Sequence, residues 1–134
     1  MTVEAYGCPR EGTEDMSGIC QFLDNMPEKL EMTKIMPPYV FKYVGVIPED
    51  WGISGVVLIA ESHIAIHSFP DKGFITLDIF SCKEFDIQNA LKVFVDQFNP
   101  TRVEDRLVMR GREFPKSTNR AAEIIQNDRE RMAV

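Results

Sequence analysis

The chain has 134 residues, 44% of them hydrophobic, which is enough apolar material for the core of one domain. Its 21 acidic and 15 basic residues give a net charge of −6, which argues against a nucleic-acid-binding protein because such proteins carry a basic face. No apolar run approaches the roughly 20 residues that a membrane-spanning helix needs. We therefore expect a single domain over residues 1–134 that binds neither nucleic acid nor membrane.

The first half of the chain predicts a strand, a helix and a second strand. Residues 2–6 read as a strand closed by a Gly and a Pro, and Thr13 is the expected N-cap of the helix. Pro27 should kink or end that helix. Residues 37–46 are aromatic and β-branched and predict a strand, and residues 46–52 a loop. The apolar stripe of the helix consists of Ile19, Phe22, Leu23, Met26 and Leu30.

The middle of the chain predicts three consecutive strands. Residues 53–60 form a nearly continuous apolar run, which suits a central strand covered on both faces or at a dimer contact. Residues 63–69 follow as another strand, and residues 70–73 (PDKG) form a tight turn. Residues 74–82 alternate between apolar and polar positions.

The last part predicts a second helix and an edge strand. The helix follows Asp86 as N-cap and stops before Asn99-Pro100. Residues 101–110 form a strand whose charges suit a sheet edge, and residues 112–134 are a polar tail, helical or flexible. This order predicts an α+β fold: a two-layer sandwich with helices on one face of a mostly antiparallel sheet.

Scarce reactive side chains are concentrated in residues 61–82, which contain both histidines of the chain. Ser62 lacks the flanking glycines of a hydrolase nucleophile, since its surroundings are AESHI. His63 and His67 would stand about 13 Å apart on a strand, too far to share one metal ion. Cys82 reads either as a small buried hydrophobe or as a thiol at the mouth of a site. Taken singly, each of these residues favours a structural role, and no metal site is expected.

The three cysteines, Cys8, Cys20 and Cys82, are odd in number and contain no C-x-x-C pair. This usage fits the reduced thiols of a cytoplasmic protein better than a disulfide framework or a zinc site.

The joint spacing of residues 52–82 resembles the prokaryotic S-adenosylmethionine decarboxylase family, whose members are pyruvoyl-dependent, self-cleaving proenzymes. The family pattern has a Ser-Gly-Val-Val strand, a Glu-Ser-His triplet, a histidine five residues after the serine, a Pro-acid turn and a cysteine 20 residues after the serine. The corresponding residues here are Ser54, Glu61, Ser62, His63, His67, Pro70, Asp71 and Cys82. The resemblance covers most of residues 2–110.

The resemblance implies that the chain makes its own cofactor. Ser62 would attack the carbonyl of Glu61, and β-elimination would cut the chain between Glu61 and Ser62. A pyruvoyl group would then stand where Ser62 stood, as a carbonyl that forms a Schiff base with the substrate and delocalises the carbanion left by decarboxylation. The product would serve as the aminopropyl donor of spermidine synthesis.

The resemblance also implies roles for neighbouring residues and a homodimer of cleaved protomers. His67 would be the acid-base group of self-cleavage, since a histidine titrates near neutrality. Ser54 would assist processing, and Cys82 would reprotonate the product carbanion. A structural role for His63 is at least as expected as a catalytic one.

The chain departs from the family pattern around the substrate. The turn acid is Asp71 instead of glutamate, a lysine follows Cys82, and the aromatic residue of the loop before the Ser-Gly-Val-Val strand has no clear equivalent. Trp51 or Tyr43 could supply it, so we predict Asp71 and Trp51 as substrate contacts. Glu49, Asp50 and Asp71 leave open a pyruvoyl-dependent arginine or ornithine decarboxylase, which needs carboxylates for a distal positive charge. A third alternative is an unprocessed, non-catalytic regulatory relative.

Overall fold

A computed structural model describes residues 1–110, 126–127 and 129–131. Within residues 1–110, six strands and three helices follow the chain in the order of the expected α+β fold. The strands are β1 (Thr2–Tyr6), β2 (Tyr39–Tyr43), β3 (Gly52–Ile59), β4 (Ser62–Phe69), β5 (Phe74–Ser81) and β6 (Arg102–Arg106). The helices are α1 (Arg10–Glu14), α2 (Met16–Lys29) and α3 (Ile87–Phe98). Short 3₁₀ turns cover Pro48–Asp50 and Pro70–Lys72.

All six strands lie in one antiparallel sheet with the order β2-β3-β4-β5-β1-β6, so the hairpin β3–β4 and strand β5 form its centre. Alternation along the strands gives the sheet two unlike faces. The face towards the helices carries the buried isoleucines of β3, β4 and β5, such as Ile53, Ile66 and Ile75. The opposite face, which we call the helix-free face, carries Ser54 and His67 and is more exposed.

The core lies between the sheet and helices α2 and α3. Asp86 caps α3 by accepting a hydrogen bond from the backbone N–H of Asn89 at 2.9 Å. Phe22 of α2 packs edge-on against Phe94 and Phe98 of α3, with ring centroids 6.2 and 5.0 Å away. Amphipathic helices packed in this way cover one face of the sheet and leave the other to solvent or a partner.

Several predicted boundaries move. Thr13 is not the N-cap of the long helix: it is buried in α1, its hydroxyl donates to the carbonyl of Arg10, and Asp15 precedes α2 instead. Pro27 lies within α2, which ends two residues later at Lys29. The strands predicted over 37–46 and 101–110 shorten to β2 and β6, and β6 does lie at an edge.

The predicted tail of residues 112–134 lies outside the described residues apart from 126–127 and 129–131, which are helical. Within the described part of the chain, no helix is both long and apolar enough to span a bilayer.

Candidate active site

Ser62 is the first residue of β4, directly after a two-residue hairpin turn made by Ala60 and Glu61. Such turns usually place positive φ angles on the turn residues, because that twist matches the flanking strands. Here the positive φ falls on Ser62 itself, at 151°. A non-glycine residue in this region is strained, and such strain concentrates at functional sites. The local backbone thus singles out the bond between Glu61 and Ser62.

The carbonyl of Glu61 belongs to the peptide bond that Ser62 would attack, and it is already hydrogen-bonded. The backbone N–H of Cys82 donates to this oxygen at 3.0 Å, because β5 pairs with β4 up to Ser81 and the chain continues past the hairpin. The Glu61 side chain accepts a hydrogen bond from the N–H of Thr33 at 3.2 Å. The structure therefore brings together three predicted residues, Glu61, Ser62 and Cys82.

Ser54 and His67 form a second group. They are opposite partners on β3 and β4, and Ser54 Oγ lies 2.8 Å from His67 Nδ1. Both face the helix-free side, where the His67 side chain is exposed. His67 lies five residues along β4 from Ser62, which corresponds to about 16 Å at the rise of a strand. The predicted processing pair is thus assembled, but one chain does not bring it to the predicted cleavage site.

His63, next to Ser62, belongs to a cluster that sequence analysis did not assign a function. Its Nε2 lies 3.5 Å from a carboxylate oxygen of Asp78, and its ring lies 5.7 Å from that of Phe80. The guanidinium of Arg110 stacks over Phe80 at 4.0 Å. Strand alternation could have placed His63, Asp78 and Phe80 on one face, whereas no sequence signal indicated Arg110.

Asp71 and Trp51 come together, as one polar contact beside α1. One carboxylate oxygen of Asp71 accepts from the indole N–H of Trp51 and the other from Arg10, each at 2.9 Å. Hydrogen bonds to Glu14 and Asp71 raise the pKa of Arg10. Lys42 lies over the Trp51 ring at 4.5 Å. Both oxygens of Asp71 are already bound here, and substrate contact by Asp71 and Trp51 stays a prediction.

An aromatic recess of about 400 Å³ opens beside Phe69, at the end of β4. The recess is lined by Tyr6, Phe69, Lys72 and Phe74. The rings of Tyr6 and Phe69 lie 5.1 and 5.9 Å from that of Phe74. A hydrogen bond to Glu4 raises the pKa of Tyr6, so its phenol stays neutral at physiological pH. Sequence analysis missed this recess, although aromatic residues at both ends of the PDKG turn were a usable signal.

The three thiols differ in accessibility. Cys8 is buried, and burial raises its pKa to about 11, so it stays protonated at neutral pH. Cys20 is half-buried and Cys82 is exposed. Within the described residues, no group of three or more His, Cys, Asp or Glu side chains is placed to bind a metal ion. Cys82 is the exposed thiol, and its backbone contacts the predicted cleavage site.

Comparison with known proteins identifies relatives of this chain. The sequence model of a family described as S-adenosylmethionine decarboxylase matches residues 1–111. An S-adenosylmethionine decarboxylase proenzyme of Archaeoglobus fulgidus is 32% identical over 109 residues, covering 81% of this chain and 92% of the relative. One of Pyrococcus furiosus is 34% identical over 118 residues, covering 87% of this chain and 80% of the relative.

A solved structure has the same fold. The crystal structure of the adenosylmethionine decarboxylase from Aquifex aeolicus superimposes with a TM-score of 0.65 at 26% identity. The match covers 81% of this chain and 90% of that chain.

Proposed function

The chain belongs to the S-adenosylmethionine decarboxylase family, and from this we propose that it is a self-cleaving proenzyme whose processed form decarboxylates S-adenosylmethionine. The product is the aminopropyl donor of spermidine synthesis. The observation that carries the proposal is the Glu61–Ser62 peptide: Ser62 has a strained φ of 151°, and the carbonyl of Glu61 accepts a hydrogen bond from Cys82 N–H. The three free thiols suit a cytoplasmic location.

Self-cleavage begins when Ser62 Oγ attacks the carbonyl carbon of Glu61. The Cys82 N–H that already binds the carbonyl oxygen stabilises the negative charge that develops there. The C–N bond then breaks, the nitrogen takes the hydroxyl proton, and an ester replaces the amide. Loss of the Ser62 α-proton then breaks the bond between Cβ and Oγ of Ser62, and the oxygen leaves as part of the new Glu61 carboxylate. Tautomerisation and hydrolysis with one water release ammonia and leave a pyruvoyl group.

The residues around Ser62 fit this group. It is made from the serine itself, so it needs no separate binding loop, and the backbone of Cys82 contacts the same hairpin. Once formed, the pyruvoyl carbonyl supplies the electron-withdrawing centre that decarboxylation requires. Cys82 is exposed and next in sequence to Ser81, the strand partner of Ser62, so we assign its thiol the return of a proton to the product carbon.

We propose that a second copy of the chain completes the site. Ser54 and His67 lie about 16 Å from Ser62 within one chain, while proton transfer needs contact at about 3 Å. The helix-free face that carries them also exposes apolar side chains, which a partner would cover. Among the described residues, the exposed apolar side chains on this face include Tyr39, Phe41, Tyr43 and Leu58. A homodimer that uses this face would bring His67 of each copy to the hairpin end of the other copy, where Ser62 begins β4.

The substrate proposal rests on aromatic faces. The recess of Tyr6, Phe69 and Phe74 offers neutral rings to a purine and to a sulfonium cation. It lies at the opposite end of β4 from Ser62, so in the proposed dimer it would serve Ser62 of the other copy, as His67 does.

Decarboxylation of arginine or ornithine would need carboxylates for a distal positive charge, and two of the three candidates are already paired: Asp71 with Arg10 and Asp50 with Lys72. The third, Glu49, is exposed on the loop before β3 and does not line the aromatic recess. No observation therefore favours that alternative, and none favours an unprocessed regulatory protein.

Two assays test the proposal. Denaturing electrophoresis and intact-mass analysis should show fragments 1–61 and 62–134, the larger blocked by a pyruvoyl group. The Ser62→Ala variant should stay as one band, while Ser17→Ala, at an exposed serine of α2, should cleave like the parent. Release of carbon dioxide should be measured for S-adenosylmethionine, arginine and ornithine in parallel. An unbroken chain in active protein, or turnover of an amino acid alone, would contradict the proposal.

A further inference from the structure

A short segment outside the sheet, Thr33–Ile35, runs beside the end of β3 and the turn that follows it. Ala60 N–H donates to the carbonyl of Thr33 at 2.8 Å, and Ile35 N–H donates to the carbonyl of Leu58 at 3.0 Å. Lys34 and Ile59 form an isolated antiparallel bridge between these contacts. We call residues 33–35 the clamp, because they pair with the hairpin on the β3 side of its turn.

The clamp also binds the side chain at the cleavage site. Thr33 N–H donates to Glu61 Oε2 at 3.2 Å. With Ala60 N–H bound to the Thr33 carbonyl, the single residue Thr33 holds both turn residues. Cys82 N–H binds the Glu61 carbonyl from the other side. The acyl half of the Glu61–Ser62 peptide is therefore fixed by three hydrogen bonds from two separate segments.

The clamp is in turn anchored to the helical layer. Lys34 Nζ pairs with the Asp24 carboxylate and donates to the Asp24 carbonyl of α2 at 3.3 Å. Just before the clamp, the carbonyl of Glu31 accepts from Lys83 Nζ at 2.9 Å, and Lys83 follows Cys82 in the chain. The two segments that hold Glu61 are thus joined to each other.

This arrangement accounts for the location of the strain. A free two-residue hairpin would relax by giving positive φ to Ala60 or Glu61. Both are instead held by Thr33, and the unusual φ of 151° falls on Ser62, the first residue beyond the clamped pair. The residue whose hydroxyl must reach the Glu61 carbonyl carbon is the one that the clamp forces out of ordinary strand geometry.

We propose that residues 33–35 position the Glu61–Ser62 peptide for self-cleavage, and that they do so by binding the Glu61 side chain. They hold the Glu61 carbonyl on its Cys82 donor and keep Ser62 in the strained conformation that cleavage relieves. The proposal deepens the self-cleavage mechanism proposed above and rests on it. Of these residues, only Glu61 and Ser62 contain atoms whose covalent bonds change during self-cleavage.

The test uses freshly synthesised full-length protein and follows the rate of precursor loss on denaturing gels. Glu61→Ala removes the acceptor of Thr33 N–H and should slow cleavage about tenfold, the effect of losing a hydrogen bond to a charged group. Glu61→Gln keeps a carbonyl oxygen at the same place and should restore the rate to within about threefold. If Glu61→Ala slowed cleavage only through a general loss of packing, the oxygen of Glu61→Gln would not restore the cleavage rate.

A second pair of variants leaves the scissile residues intact. Lys34→Met keeps most of the side-chain length but removes the anchor to Asp24 and should slow cleavage about fivefold. Lys92→Met removes a comparable exposed ion pair, Lys92 to Asp96 on α3, and should cleave at the parent rate. The melting temperature of each variant, measured on a Ser62→Ala background, checks that the uncleaved precursors fold alike.

The outcomes separate the two proposals. A parent chain that never cleaves removes the proposed function and the clamp together. A parent that cleaves while Glu61→Ala and Lys34→Met match its rate overturns the clamp alone. Equal slowing by Glu61→Gln and Glu61→Ala also overturns it, because the hydrogen bond from Thr33 would then have no effect.

Discussion

Two variants that fail to cleave alone should restore cleavage when they are made together. Within one chain, five residues of an extended strand separate His67 from Ser62, about 16 Å, and no side-chain rotation spans that distance. Self-cleavage within a single chain would therefore leave the acid-base group out of reach. If His67 acts across a dimer, a Ser62→Ala chain still offers a usable His67, and a His67→Ala chain still offers a usable Ser62.

The expected yield follows from random pairing. In a symmetric dimer assembled from equal amounts of the two variants, about half of the His67→Ala chains pair with a Ser62→Ala chain. Each such mixed dimer has one complete site, which lies on the His67→Ala chain. About half of the His67→Ala chains should thus cleave, and the Ser62→Ala chains should not. Co-expression with a purification tag on one variant, followed by denaturing electrophoresis, measures both fractions.

Controls decide whether complementation is specific. Each variant expressed alone should remain largely uncleaved, and co-expression of Ser54→Ala with Ser62→Ala should rescue the Ser54→Ala chain in the same way, because Ser54 and His67 hydrogen-bond to each other. A doubly substituted Ser62→Ala, His67→Ala chain should rescue neither single variant. If mixed expression yields no cleaved His67→Ala chain although mixed dimers are recovered, the two-chain site is wrong.

Three further predictions follow from burial and contacts. Phe94→Ala should lower the free energy of unfolding by about 3–5 kcal/mol in denaturant titrations, because Phe94 is fully buried between the helices and the sheet. Iodoacetamide at pH 8 should modify Cys82 in the folded protein while Cys8, with its pKa raised to about 11, reacts only after unfolding; rapid labelling of Cys8 by mass spectrometry would contradict its burial. Asp71→Asn keeps an acceptor and a donor near Trp51 but loses the charge paired with Arg10. Because this pair is exposed to solvent, the melting temperature measured by circular dichroism should fall only slightly, and a large fall would contradict the exposed contact.

The sequence alone predicted the strands well because their signals are local. The alternation in β5 and the apolar run in β3 appear where they were expected, and the N-cap at Asp86 is observed with its hydrogen bond. The start of the long helix was wrong because Thr13 and Asp15 are both good N-cap residues. Burial of Thr13 under Ser68, whose hydroxyl donates to its carbonyl at 2.7 Å, decides between them and depends on tertiary contacts.

The contacts of the site were harder to predict from the sequence, because they also depend on tertiary structure. The spacing of Ser62, His67 and Cys82 indicates the family, but the rise of a strand places Ser62 and His67 about 16 Å apart, so this spacing does not by itself form one site. The contacts of Asp71 with Arg10 and of Glu61 with Thr33 join residues 61 and 28 positions apart. No local pattern encodes such pairs, so the bound state of Asp71 and the clamp emerge only from the fold.

Ser62 and His67 are separated along the rigid strand β4, and this separation bears on when the reactive carbonyl forms. A pyruvoyl group reacts with amines in general, so a chain that made it before folding or assembly would carry an unprotected electrophile. The conditions proposed here are successive: the clamp must pair with the hairpin to strain Ser62, and a second copy must then bring His67. A lone chain would then keep an intact serine, because Ser54 and His67 lie on paired strands and cannot reach the start of β4. Under this proposal, formation of the pyruvoyl group would be coupled to assembly of the dimer.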